Sequence, residues 1–128
     1  MKTAIHQATL AKAQGEVPIG AVIIDTKKEI IALGRNMTRS LNDPTAHAEI
    51  IAIRRACKYL NSPRLKGCSI YVTIEPCPMC AYAISTARID TLFFAAEDKK
   101  SGGVLNGPKI FESSSCHHKP KVSHLSLI

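Results

Sequence analysis

Apolar positions along this chain alternate between helical spacing and the continuous runs of buried strands. Ala4 to Gln14 reads as a helix, with Ile5 and Ala8 and then Thr9 or Lys12 marking its faces, and Gly15 as its stop signal. Pro18 to Asp25 is almost unbroken apolar sequence, the pattern of a strand covered on both faces. Thr26-Lys27-Lys28 turns the chain, and Ile30 to Asn36 returns as a second strand. A loop, Met37 to Pro44, leads into a helix from about Ala46 to Leu60, with Ile50, Ile53, Cys57 and Leu60 at core spacing. Asn61 to Gly67, which contains Pro63, connects to a third strand, Ser69 to Thr73, whose poor alternation predicts a central position. The next helix, Pro78 to Arg88, starts with proline in its first turn. Asp90 to Ala96 is a further apolar strand, Ser101 to Pro108 is glycine-rich, and Lys121 to Leu127 is a short final strand. Helices alternating with buried strands predict a layered α/β domain and exclude a bundle or a sandwich.

There is no internal repeat or low-complexity segment, and 128 residues suit one domain with one core. Lysine and arginine number 17 against 10 acidic residues, a formal charge of +7. That balance favours an anionic partner such as RNA, and from composition alone it serves solubility equally well. No stretch has the length of a membrane-spanning helix and the N-terminus has no signal-peptide apolar core, so the expected location is the cytoplasm, with no membrane partner. The five cysteines are odd in number and two form a C-x-x-C pair, which points to a reducing compartment and a metal site over a disulfide framework. Cys57 and Cys68 are expected to be packed small hydrophobes. Cys116-His117-His118 is read as a loop, since three adjacent residues reach one ion only through a tight turn.

The chemistry concentrates in Thr45-Ala46-His47-Ala48-Glu49 and Pro76-Cys77-Pro78-Met79-Cys80. His47, Cys77 and Cys80 are three ligands suited to one zinc ion per chain. Three protein ligands leave a position for water, as in catalytic sites, whereas structural sites are closed by four. His47 is expected in the first turn of one helix and Cys77 and Cys80 in the first turn of the next, where residues three apart share a face and the helix N-terminus lowers thiol pKa. Glu49, two residues from His47, is the candidate proton carrier; its bland alternative is a first-turn glutamate that stabilises a helix start.

The order His-x-Glu followed by Pro-Cys-x-x-Cys is the known signature of zinc nucleobase deaminases. Glu16-Val17-Pro18-Ile19-Gly20-Ala21-Val22, Asp43 to Glu49, Thr73 to Cys80 and Ala96 to Gly102 together resemble the bacterial tRNA-specific adenosine deaminases, in order, from about Ala4 to about Val122. The resemblance implies a three-layer cytidine-deaminase-like α/β fold, a five-stranded mixed sheet with helices on both faces. It implies adenosine-to-inosine conversion at the wobble position of a tRNA anticodon stem-loop, by a homodimer, with Glu49 moving the protons. It also carries substrate-binding roles to Asn36 against the base edge, to Val17, Pro18 and Ile19 as walls of the base pocket, to Ala48, and to Asp98 beside the ribose preceding the target. The apolar circumference of Pro78 to Arg88 fits contact with a second subunit on its outer side. Residues 1–128 read as a single deaminase domain that stops short of the family's usual C-terminal helices. The alternatives are a free-base or nucleotide deaminase, such as a guanine deaminase, and a non-catalytic zinc-stabilised RNA-binding subunit.

Overall fold

The computed structural model describes residues 1–125. Its elements are α1 (Lys2–Ala13), β1 (Gly20–Ile24), β2 (Ile30–Arg35), α2 (Ala48–Leu60), β3 (Ser69–Ile74), α3 (Pro78–Thr86), β4 (Thr91–Ala96), a 3-10 turn (Ile110–Glu112) and β5 (Lys121–His124). The strands form one five-stranded sheet in the order β2-β1-β3-β4-β5. β1 runs antiparallel to β2 and β3, while β3, β4 and β5 are mutually parallel. The expected mixed α/β sheet is therefore observed, with β3 at its centre. The final strand pairs as far as His124, whose ring stacks on Phe94 with centroids 5.0 Å apart. The continuation of that strand to Leu127 lies outside the described residues.

Two glycines decide how the helices cover the sheet. Gly20 pairs with Arg35 and Ala21 with Gly34, so Gly20 and Gly34 face opposite sides of the two strands. A Cβ on Gly20 would stand 2.0 Å from the Ala4 carbonyl oxygen, and one on Gly34 would stand 2.2 Å from the Ala48 carbonyl oxygen. Hence α1 presses on one face and α2 on the other, each with backbone against backbone. α3 packs beside α2. Between the layers, Ile23, Ile70, Val72, Ile84, Leu92 and Phe94 are completely buried.

That close approach corrects the helical faces read from hydrophobicity. α2 turns Ala48, Ile51, Ala52 and Ala56 inward, leaving Ile50, Ile53 and Cys57 half-buried and Leu60 40% exposed. α1 buries Ala4, Gln7, Ala8 and Ala11, and leaves Ile5 40% exposed. Only small side chains fit where a helix lies directly on strand backbone, so alanine takes positions that bulk alone would assign to isoleucine or leucine. Strand β1 is also shorter than its apolar run: Val17 and Pro18 precede it and are exposed.

Candidate active site

β3 and β4 run parallel and end together at Ile74 and Ala96, and the chain leaves β3 through Pro76 directly into α3. The carboxyl ends of parallel strands are where α/β sheets present ligands. The N-termini of α2 and α3 come together here. His47 is the N-cap of α2 and Cys77 the N-cap of α3, both with extended backbone, so each stands one residue before the helix rather than within its first turn. Pro78 follows at the first helical position, where no N–H is required, and Cys80 lies in the first turn. The two cap side chains turn to each other, His47 Nδ1 to Cys77 Sγ.

His47 Nδ1 lies 3.6 Å from Cys77 Sγ and 3.6 Å from Cys80 Sγ, and the three donor atoms fall within 4.8 Å of one another. A tetrahedral zinc with Zn–N of about 2.0–2.1 Å and Zn–S of about 2.3 Å needs nitrogen and sulfur about 3.6 Å apart. The donor set and its spacing therefore fit a zinc ion. The two thiols are strongly coupled. A hydrogen bond from Cys80, helped by the backbone N–H groups of Cys80 and Met79, holds Cys77 down at about 5 against the effect of burial. The same hydrogen bond together with burial pushes Cys80 far up. One thiolate thus stands ready at the helix start beside the imidazole.

Glu49 sits on the first turn of α2, 3% exposed. Burial, and next among the raising influences the charge on Cys77, push its carboxyl up to about 7, against the pull of its own backbone N–H, His47 and the Cys80 thiol. A carboxyl with that pKa takes up and releases a proton at neutral pH, as a general acid–base group requires.

His47, Cys77 and Glu49 line a cavity of about 340 Å³, near the lower end of the range for small-molecule sites. Val17, half exposed at 52%, and Ile19 form an apolar wall. Asn36 lines the cavity and is only 5% exposed; its Oδ1 accepts the Thr38 N–H, which leaves the Nδ2 amine as the group for a ligand. Asp98 also lines the cavity, with Oδ1 accepting the N–H groups of Lys100 and Ser101. Two expected substrate residues are not brought to the cavity. Pro18 is exposed between two wall residues, and Ala48 is completely buried against the sheet.

Two carboxylates at the rim escaped the sequence reading. Glu16, 5% exposed, accepts the N–H groups of Arg39 and Ser40 and so binds the loop after Asn36 to the segment carrying Val17. Glu75, 2% exposed, accepts five hydrogen bonds from Asp98, Val104, Leu105 and Asn106. Burial alone would raise the Glu75 pKa, but the Val104 N–H, the Asn106 side chain and the other donors hold it below its ordinary value. The available signal was a lone charge closing an apolar strand beside a metal motif. Cys116-His117-His118 is indeed a loop: Cys116 is buried 3.2 Å from Ser85 Oγ, and His118 Nε2 contacts the Ile89 carbonyl at 2.7 Å. Among the described residues, the only metal-suited cluster is His47, Cys77 and Cys80.

Comparison with known proteins agrees with this arrangement. Residues 1–96 match the family model for the cytidine and deoxycytidylate deaminase zinc-binding region. The tRNA-specific adenosine deaminase of Agrobacterium fabrum is 50% identical over 122 residues, covering 95% of this chain and 80% of that protein. The enzyme of the same name from Aquifex aeolicus is 44% identical over 127 residues, covering 99% and 83%. A chain solved in biochemical and structural studies of A-to-I editing by tRNA:A34 deaminases superposes with a TM-score of 0.95 at 49% identity, covering 98% of this chain and 95% of that one. The guanine deaminase of Bacillus subtilis superposes at 0.73 with 47% identity, over 75% of this chain and 61% of that one. With its single sheet between helices, its paired helix starts and its His/Cys/Cys cluster, the chain belongs to the zinc-dependent cytidine and deoxycytidylate deaminase family.

Proposed function

We propose that this chain hydrolyses adenosine to inosine and ammonia at the wobble position of a tRNA anticodon. The observation that carries the reading is the buried Glu49 carboxyl beside His47, Cys77 and Cys80, at the floor of a cavity sized for one base. The substrate follows from the relatives named as tRNA-specific adenosine deaminases and from the A34 deaminase structure. The +7 charge suits a polyanion. An adenine within a duplex is unreachable, so the target is an unpaired loop base flipped into the cavity.

His47, Cys77 and Cys80 are the residues that would hold zinc, which when bound makes water nucleophilic near neutral pH. Glu49 accepts one proton from water and delivers it to N1 of the adenine as C6 is attacked. It then takes the second water proton from the new C6 hydroxyl group and passes it to the amine, which leaves as the C6 carbonyl forms. One water is consumed and one ammonia leaves. Asn36 orients the base through its Nδ2 amine, and Val17 packs on its face. Asp98, with Oδ1 engaged in its own turn, offers Oδ2 to the 2′-OH of the preceding ribose.

The decisive experiment is inosine analysis of total bacterial tRNA after incubation, beside ammonia release from guanine, cytidine and adenosine. Inosine at the wobble position supports the reading. Turnover of guanine without any on tRNA would move the chain to the second reading, which the similarity to the Bacillus subtilis enzyme favours. In a stem-loop with one deoxyribose immediately 5′ of the target, efficiency should drop about 10- to 100-fold, the worth of a hydrogen bond to a charged acceptor. Asp98→Asn should shrink that difference: the amide oxygen still caps the turn, but an amine replaces Oδ2. Equal rates on both loops in the parent would remove Asp98 from substrate recognition.

We also read the chain as a homodimer in the cytoplasm. Met79 and Tyr82 on α3, with Leu105 beyond it, are 38%, 45% and 42% exposed, an apolar surface suited to a second copy. No helix among the described residues is long and apolar enough to cross a membrane. Sedimentation at micromolar concentration should give about twice the 13.9 kDa chain mass, and a purely monomeric species would refute the dimer.

A further inference from the structure

Glu75 lies at the end of β3, one residue before the Pro76-Cys77 step into the metal cluster. Oε2 accepts the N–H groups of Val104, Leu105 and Asn106 at 3.0, 2.9 and 3.1 Å. Oε1 accepts the Asp98 N–H at 3.1 Å and Asn106 Nδ2 at 2.7 Å. A carboxylate has about four lone-pair sites, so these five donors saturate it and leave nothing for a substrate or a transferable proton. No cation pairs with it among the described residues. Its charge rests in a concave nest of three consecutive backbone N–H groups. The fit is close on both sides. A Cβ on Gly102 would stand 2.3 Å from Oε2 and 2.4 Å from the Asp98 carbonyl oxygen, and one on Gly103 would stand 2.5 Å from the Pro78 nitrogen. Gly103 N–H also donates to the Pro76 carbonyl at 2.8 Å.

We infer that Glu75 is a positioning residue that sets the ribose-recognising wall of the cavity: it ties the Asp98 segment and the 104–106 turn to the strand end that delivers Cys77. Asn106 Nδ2 also bridges Glu75 Oε1 and Glu97 Oε1, at 2.7 and 3.0 Å, but among the described hydrogen bonds only the Glu75 side chain accepts backbone N–H groups from both parts of this loop. The role in ribose recognition rests on the reading of Asp98 given above; the tie to the loop does not. Glutamine at this position separates the contacts. Its one oxygen can still serve the three N–H groups of 104–106, but its amine then faces the Asp98 N–H, donor against donor. Asn106 can turn its own oxygen to meet that amine by giving up its bond to the exposed Glu97 carboxylate, whereas the Asp98 backbone cannot turn.

Glu75→Gln is therefore expected to keep the parent's zinc content, measured by elemental analysis. The Asp98 amide should exchange hydrogen about tenfold faster or more, with β3 and α3 amides unchanged. Preference for the all-RNA loop over the singly deoxy-substituted one should fall by about tenfold or more. Glu75→Gln combined with Asp98→Asn should lose no more of that preference than Asp98→Asn alone. Gly102→Ala, which drives a methyl group between Glu75 and the loop, should reproduce the exchange and preference changes from the other side and decides the matter if the glutamine variant does not fold. Parent-like protection of the Asp98 amide in these variants would overturn the proposal, as would loss of zinc from Glu75→Gln or an unaltered ribose preference beside a loosened loop. A parent without any ribose preference would instead retire the role of Asp98, and the exchange pattern would then decide the tie by itself.

Discussion

Glu49→Gln is expected to keep its fold and its zinc and to lose turnover by about 10²–10⁴, the usual worth of a positioned proton carrier. Glutamine fills the same buried volume and can still hydrogen-bond, but it cannot collect a proton from water and release it to N1 or to the leaving amine. Glu49 is 3% exposed on the lining of the cavity, beside where the reacting water and base would meet. No other described titratable carboxyl replaces it there: Glu75 is saturated by five donors and Asp98 is engaged in its own turn. Single-turnover inosine formation with enzyme in excess over a stem-loop checks this without interference from product release. A variant within about tenfold of the parent would disprove the assignment of proton transfer to Glu49.

Cys80→Ala is expected to empty the metal site. Cys80 is completely buried and supplies one of only three donors. Loss of a supporting partner of a metal ligand already costs about 10–100-fold in affinity, so loss of the ligand itself costs more than ~100-fold. After dialysis against a zinc buffer the parent should retain one equivalent and the variant almost none, with activity lost in step. Stability gives a second readout. Free zinc at a thousand times its Kd stabilises a protein that binds it only when folded by about 4 kcal/mol. The parent should gain that and lose it to a chelator, and the variant should melt at the same temperature with or without zinc. A full equivalent of zinc on Cys80→Ala would show that the site has been assigned to the wrong atoms.

The parts of this molecule legible in its sequence are those in which side-chain chemistry is specific. His47, Cys77, Cys80 and Glu49 stand out because few other jobs bring those residue types together, and the strands stand out because apolar runs of that length must be covered. The helix faces were less legible. Ile50, Ile53, Cys57 and Leu60 have the bulk and spacing of a core stripe, yet Ala48, Ala52 and Ala56 took the inner face because glycine on the strand lets backbone meet backbone. Periodicity counts hydrophobic residues and is blind to how near two elements can approach. The rim carboxylates were hidden for another reason. Glu16 and Glu75 bind backbone N–H groups far along the chain, and a backbone donor has no letter in a sequence. Pro18 and Ala48 show the converse limit, since proximity along the chain to a pocket residue did not put their own side chains in the pocket.

The glycine contacts on either side of the sheet have a consequence for how this architecture can change. At Gly34 the strand meets the first turn of α2 with no side chain between them, so there is no rotamer to shift and no methylene to trim. The segment bearing His47 and Glu49 is in effect seated on bare peptide. Adaptation to a new substrate therefore has little purchase on the chemical half of the molecule and ample purchase on the other half, where the loops after Asn36 and Ala96 are held by carboxylate ties that point changes can lengthen, loosen or re-aim. A scaffold divided this way can diversify its specificity while its reaction stays fixed.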